Sequence, residues 1–416
     1  MHLSSRRLGV ALLATTLLLS GCAQGSRTSA ETDSSAGGDT TIRFMNFTSN
    51  GGHEEDLKAI VDGFEAENEG IDVEVETLPY DDYFTALQTA VAGGSAADVF
   101  ELNYENFVTY RENGSLADLG DVDGSAYVPS LLEAFSEDGT QYGLPESFSN
   151  VVLYYNADLF EKAGVDVPTA DWTWADEKTA AEKLTKAGVW GDYQPVSFHE
   201  FYKALAQSGG EFLTEDGSDV AFDSQEGVDA AEWLIGKSGT TMPTAEDGAG
   251  TPDFDTNLFK EGKLAMWHSG IWMFDALAEA PFDWDIAVEP GNSTPASAMF
   301  ANAVVVSAAS KEAEAAQAFA EYLAGSTTSA ETRVATGWEL PPIADESVRT
   351  DYLAKTPPAS RQVVFDALEA VVMPPVIERQ QEMQDIVSEE LTEAAAGRKT
   401  AQEAVDSAAE RVRKLL

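Results

Sequence analysis

The sequence predicts an α/β protein, and three features of its order carry that expectation. Apolar residues first alternate, then recur at helical spacing, then alternate again; a second helix and a short strand follow; and the same strand-then-helix grammar returns late in the chain. Residues 41–47 read as a strand with Ile42 and Phe44 on one face, and Leu57, Ile60, Val61 and Phe64 then form a helical stripe. A second strand is expected over 71–78. A helix carrying Phe84, Leu87 and Val91 should stop at Gly93-Gly94, ahead of a strand over 98–102. This βαβαβ order implies a parallel sheet with ligands at the carboxyl ends of its strands, here 47–52, 79–83 and 103–106. Farther on, 303–308 is expected as a strand, Ser310 as a helix cap, and Ala315, Phe319, Tyr322 and Leu323 as one helix face ending at Gly325. The tail should form helices over 376–396 and 400–416, separated by Gly397.

Composition narrows the class. A chain of 416 residues, 44% hydrophobic and with 20 Phe, 12 Tyr and 8 Trp, can bury a large core in two to three domains. Its 25 basic and 72 acidic residues give a formal charge of −47. Such a surface repels nucleic acid and anionic lipid, and it disfavours an anionic ligand unless a local basic pocket offsets the field. No run of Lys and Arg in the sequence makes such a pocket, so a neutral ligand is expected. The acidity itself is spread along helices and reads as solvation.

The N-terminus sets the compartment. Arg6 and Arg7 precede an apolar run, residues 8–20, that is too short for the ~20 residues of a bilayer span but fits a secretory signal. Leu19-Ser20-Gly21-Cys22 resembles the lipobox of bacterial lipoproteins, which implies removal of 1–21 as a signal peptide and lipidation of Cys22, the only cysteine. Residues 22–40, rich in Ser, Thr, Gly, Ala and Asp, then read as a flexible tether. The expected location is extracytoplasmic, anchored by lipid to the outer face of the cell membrane.

From Tyr142 onward the chain resembles a family. Tyr142-Gly-Leu-Pro145, then Leu153-Tyr-Tyr-Asn-Ala-Asp-Leu-Phe-Glu-Lys-Ala-Gly164, Pro168 and the pair Trp172/Trp174 are similar to the extracellular solute-binding proteins of sugar-type ATP-binding-cassette importers, the class of maltose-binding protein. Ala97-Asp98-Val99, Gln207-Ser-Gly-Gly210, the stretch Phe259 to Trp272, the segment 303–310 and Gly337-Trp-Glu-Leu-Pro341 occur in the family's order. The resemblance implies a type II periplasmic-binding-protein fold of two α/β lobes. One lobe would hold 41–148 plus 300–347, the other 149–299 plus 348–416, joined by hinge crossovers near 148–150, 300 and 345–355. Such crossovers permit rigid-body bending around a ligand. It also implies a monomer that passes a saccharide to the permease of an importer, with no cofactor.

Sugars present apolar ring faces edged by hydroxyls, so a site needs aromatic plates beside carboxylates and amides. Trp272 matches the family's stacking tryptophan, while Trp267 within the strand reads as core. His199 matches an aromatic contact of maltose-binding protein, but Ser197 stands where that protein has a carboxylate, which puts the same substrate in doubt. Phe198, Phe201 and Tyr202 are alternative plates or core. Phe47, Thr48 and Asn50 leave the first strand and Tyr80 and Tyr83 the second. Glu105 matches a family carboxylate, with Asn103 beside it. Glu146 and Asn150 lie at the first crossover, Phe300 and Asn302 at the second, and Trp338 and Glu339 near the third. The bland alternative for each acidic or aromatic residue is solvation or hinge packing.

Enzyme signatures are absent from the sequence. His53, His199 and His268 are too far apart for a local metal motif, and there is no Gly-x-Ser-x-Gly elbow or phosphate loop. A pair of glycosidase carboxylates is a spatial property, so a glycoside hydrolase remains the rival from another class. A peptide, polyamine or chelated-metal cargo is the rival within the same fold.

Overall fold

The computed structural model describes residues 40–50, 52–251, 253–338 and 340–416. Cys22, the expected signal, the tether up to residue 39 and Glu339 lie outside them. Chain order begins β1 (Thr40–Asn46), α1 (Glu54–Glu67), β2 (Ile71–Thr77), α2 (Tyr80–Ala92), β3 (Val99–Asn103) and α3 (Tyr104–Glu112). The long β4 (Gly143–Asn156) comes next, then α4 (Trp174–Leu184), α5 (Phe198–Gln207), α6 (Gln225–Lys237), β5 (Met266–Gly270) and β6 (Trp284–Ala287). The chain closes with β7 (Ser297–Val306), α7 (Ala313–Gly325), α8 (Thr327–Thr336), β8 (Val371–Val372), α9 (Gln380–Ala395) and α10 (Ala401–Val412).

The opening βαβαβ unit has the expected geometry. β1 pairs in parallel with β2, from Thr40 opposite Ile71 to Asn46 opposite Thr77, and in parallel with β3 on its other side. The sheet as a whole is mixed rather than parallel, because β7 returns antiparallel between β3 and β4, with Asn103 opposite Asn302 and Gly143 opposite Val305. A mixed sheet still covers both faces of its buried strands. Strand order runs β2-β1-β3-β7-β4-β5, with β8 on β7 and β6 on β4.

All of β4 is buried, and it changes partners along its length. Residues 143–150 pair with β7, whereas Val151–Tyr155 face β5 and Leu153–Asn156 face β6. The register slips between Pro145 and Ser147, where Pro145 has no N–H to donate to the ladder. One strand therefore joins two groups of strands.

Helix faces pack as their spacing requires. Leu57, Ile60, Val61 and Phe64 of α1 are buried with Phe319, Ala320 and Leu323 of α7, whereas Ala315 and Tyr322 are only half-buried. Tyr80 and Tyr83 belong to α2 rather than to the strand before it, because Pro79 supplies an extended residue that starts the helix. Ser310 does not cap α7; its hydroxyl donates to Asp98 at 2.7 Å and accepts from the Glu312 N–H. The tail helices form within their expected bounds, the first starting at Gln380, beyond Pro374 and Pro375. Thr400 and Glu403 build a reciprocal cap on α10.

Candidate ligand-binding cleft

The carboxyl ends of β1 and β3 open onto a cavity of about 1460 Å³. Phe47 and Thr48 are held at its edge by a residue the sequence did not single out. Glu101 on β3, 1% exposed, accepts from the Phe47 and Thr48 N–H groups at 2.8 and 3.0 Å and from the Thr48 hydroxyl at 2.6 Å. Burial raises the Glu101 pKa, while these bonds oppose the shift. Phe47 packs edge-on against Tyr80, ring centres 5.3 Å apart. Asn103 caps α3 through the Asn106 N–H at 3.0 Å and donates to the Tyr80 hydroxyl at 3.0 Å.

Glu105, in the first turn of α3, faces groups from distant segments. Gln384 of α9 donates to its carboxylate at 2.8 Å, Gln380 does so at 3.4 Å, and the His199 ring lies at 3.6 Å. His199 sits in the first turn of α5, which Ser197 caps. Its ring centre is 5.5 Å from that of Phe300, and Phe300 is 5.7 Å from Trp272. Trp272 follows β5 in a short 3-10 turn and is 52% exposed, whereas Trp267, inside β5, is 1% exposed. Three aromatic rings therefore form a row beside a carboxylate and two amides. Such a surface offers stacking faces and hydrogen-bonding edges side by side.

The structure brings Phe47, Thr48, Tyr80, Asn103, Glu105, His199, Trp272, Phe300 and Asn302 to this one cavity. Trp338 lines a second cavity, which shares Trp272. There the Trp338 indole N–H donates to the Thr48 carbonyl at 3.0 Å, with His53 stacked on the indole and the Arg333 guanidinium 3.9 Å from its ring centre. Four expected contacts lie elsewhere. Tyr83 is buried and its hydroxyl is spent on the carbonyls of Met45 and Glu101; Glu146 is buried against Arg333; Asn150 is buried and donates to the Val364 carbonyl; Asn50 is exposed beyond the lining. Phe198, Phe201 and Tyr202 are all core, at 0%, 1% and 2% exposure. They occupy the inner face of α5, and the one-residue step to His199 reaches the cavity.

Behind that wall lies a closed ring of buried polar side chains. Lys203 meets Glu289 at 2.7 Å; Glu289 meets His268 Nδ1 at 2.9 Å; His268 Nε2 meets Glu177 at 3.0 Å. Glu177 meets Lys237 at 2.5 Å; Lys237 reaches Gln194 at 2.6 Å; Gln194 donates to Glu200 at 2.7 Å; and Glu200 returns to Lys203 at 2.6 Å. The ring ties α5, which carries His199, to β5, which leads to Trp272. Burial pulls the His268 pKa down, but Glu289, Glu177 and Asp192 outweigh it and raise it well above the ordinary value. Burial would raise Glu289, yet His268 and Lys203 hold it at about 2. Glu177, Asp192 and His268 are close enough to ligate a metal ion. That position already holds a cation, since the Lys237 ammonium lies 2.5 Å from Glu177 and 2.6 Å from Asp192.

Comparisons with known proteins agree with this architecture. A family profile described as bacterial extracellular solute-binding protein matches residues 59–361. An ABC substrate-binding protein of Listeria monocytogenes, solved in complex with cycloalternan, superposes with a TM-score of 0.82 at 42% identity, covering 90% of this chain and 98% of that one. The galactooligosaccharide-binding protein of Bacillus subtilis is 26% identical over 98% of this chain and 96% of its own length. A binding protein of Brucella abortus is 29% identical over 56% of this chain, and the match spans 59% of that relative's length. The fold is thus the two-lobe solute-binding fold. No helix among the described residues is long and apolar enough to cross a membrane.

Proposed function

Because the chain belongs to the bacterial extracellular solute-binding proteins, we propose that its cleft binds an oligosaccharide and delivers it to the permease of an ATP-binding-cassette importer. The observation that carries this reading is the row Trp272, Phe300 and His199 beside Glu105, Asn103 and Gln384 in one cavity. The Listeria relative's ligand makes cyclic and linear glucose oligosaccharides the first class to test. Binding alone is the proposed activity, with no turnover of the sugar.

The two lobes would comprise 41–148 with 300–347 and 149–299 with 348–416. Support comes from β4, whose pairing passes from β7 to β5 and β6 at Asn150 and Val151. Ligand binding at the interface of the lobes would favour the closed form, which docks on the permease. Lipidation at Cys22 and the tether after it would hold the protein at the outer face of the membrane as a monomer.

A thermal-shift and calorimetric screen of the full chain tests the reading. Cycloalternan, maltotetraose and a galactooligosaccharide are the probes. A ligand at ~100-fold above its dissociation constant adds ~2.7 kcal/mol of stability. No shift with any neutral or charged saccharide overturns it.

A further inference from the structure

Next to the cleft, and sharing Trp272 with it, lies the second cavity, of about 320 Å³. That is at the lower end of the ~300–1,000 Å³ of small-molecule sites and enough for part of a ligand. Thr48, Ser149 and Trp272 line both cavities, so the two adjoin at these three residues. The charge here is opposite to that of the chain. Acidic residues outnumber basic ones by 72 to 25 overall, yet the described lining of this cavity contains Arg333, Lys355 and Arg361 and no Asp or Glu. These three are brought together by folding, which is why no basic run announced them.

The partners of Arg361 and Arg333 leave positive charge facing inward. Arg361, 7% exposed, donates to the carbonyls of Lys355 and Pro357 at 3.0 Å each and lies between the rings of Phe274 and Tyr352, 4.8 Å from each centre. Carbonyls and rings solvate a guanidinium without neutralising it, and no carboxylate among the described residues pairs with Arg361. Arg333 is fully buried; one nitrogen pairs with Glu146, while its Nε and Nη1 have no hydrogen-bond partner among the described residues. His53, also in the lining, is paired with Asp56 at 2.9 Å. A buried cation without a counter-charge is costly, and the cost falls when a ligand supplies the charge.

We propose that this cavity receives an anionic substituent, a carboxylate or a phosphate ester, on one ring of the bound saccharide, with Arg361 as its charge partner and the free donors of Arg333 as its hydrogen-bond partners. The inference rests on the saccharide reading above and departs from the neutral ligand that the net charge of the sequence led us to expect. Guanidinium groups match both anions through paired N–H donors.

The test is calorimetric titration of the full chain with three glucose tetrasaccharides: neutral, ending in glucuronate, and carrying a 6-phosphate. At least one charged form should bind ten times or more tighter than the neutral one, and the preferred form tells carboxylate from phosphate. Arg361→Gln should bring the charged-to-neutral ratio to near one, and Arg361→Lys, which keeps the charge, should retain part of it. Circular dichroism confirms that both variants fold. Equal binding of all three sugars by the wild-type chain overturns this inference alone, as does a preference that survives in Arg361→Gln. If no saccharide binds, the saccharide reading falls and this inference falls with it.

Discussion

Gly270 gives a way to move the Trp272 plate without removing an atom. The indole lies directly over Gly270, so that a Cβ at this position would meet Cζ3, Cε3 and Cη2 of Trp272 at 1.9, 2.1 and 2.1 Å. The backbone there, φ −82° and ψ 161°, suits alanine, so Gly270→Ala adds no backbone strain. Ordinary carbon contacts need ~3.5 Å, hence the ring must retreat by at least about 1.5 Å. Trp272 is half-exposed and can swing toward solvent. If it stacks on a sugar ring, Gly270→Ala should weaken binding by on the order of 2 kcal/mol, about thirtyfold, with a small change in stability. Trp272→Ala is the comparator. A fully enclosed tryptophan buries ~150–250 Å², so this one buries roughly 100 Å² and its loss costs at most ~2.5 kcal/mol of stability, below the ~3–5 kcal/mol of a core position such as Trp267. Titration calorimetry and urea melts on both variants read the two quantities separately. Normal affinity in Gly270→Ala would refute stacking by Trp272.

The buried ring predicts a pH profile. The His268 contribution is complete below the ordinary imidazole value of ~6.5 and is lost as pH rises toward its raised folded value, by up to ~1.4 kcal/mol per pH unit; that of Glu289 is present above ~4.5 and is lost as pH falls through about 2. Urea midpoints should therefore be highest between about pH 5 and 6.5, and His268→Gln should cost ~3–5 kcal/mol and abolish the alkaline slope; an unchanged slope refutes the assignment. Cys22→Ser should release the protein from the membrane fraction, since each buried methylene of a lipid chain contributes ~0.8 kcal/mol; retention with unchanged mass refutes anchorage. A saturating saccharide should reduce the radius of gyration in small-angle scattering as the lobes close, and superimposable curves with a sugar that demonstrably binds refute hinge closure.

The parts of the fold that were legible in the sequence are those whose cause is local. The α1 stripe, the Gly93-Gly94 stop and the break between the tail helices at Gly397 each follow from residues within a few positions of one another, and all three form. The antiparallel return of β7 and the change of partner along β4 depend on pairings between residues more than a hundred positions apart, which no periodicity encodes. The same distinction divides the site. Residues at strand ends or in the first turn of a helix, such as Thr48, Glu105 and His199, reach the cavity because topology places those ends together. Tyr83 and Phe198 sit next to such residues in sequence, but helical rotation turns them into the core.

Charge shows the limit most sharply. A net charge of −47 argues against an anionic ligand only if the field at the site resembles the average field, and the average is set by exposed carboxylates screened over ~8–10 Å of saline solvent. A cavity walled by Arg333, Lys355 and Arg361 with aromatic rings between them is shielded from that average by low-dielectric side chains. Glu101 makes the converse case. It is one carboxylate among 72 acidic residues and indistinguishable from them in sequence, yet it alone accepts both the Phe47 and Thr48 N–H groups and so fixes the cavity's edge. What a charge does in this protein is decided by which backbone and side-chain groups folding brings within about 3 Å of it, and bulk composition averages that information away.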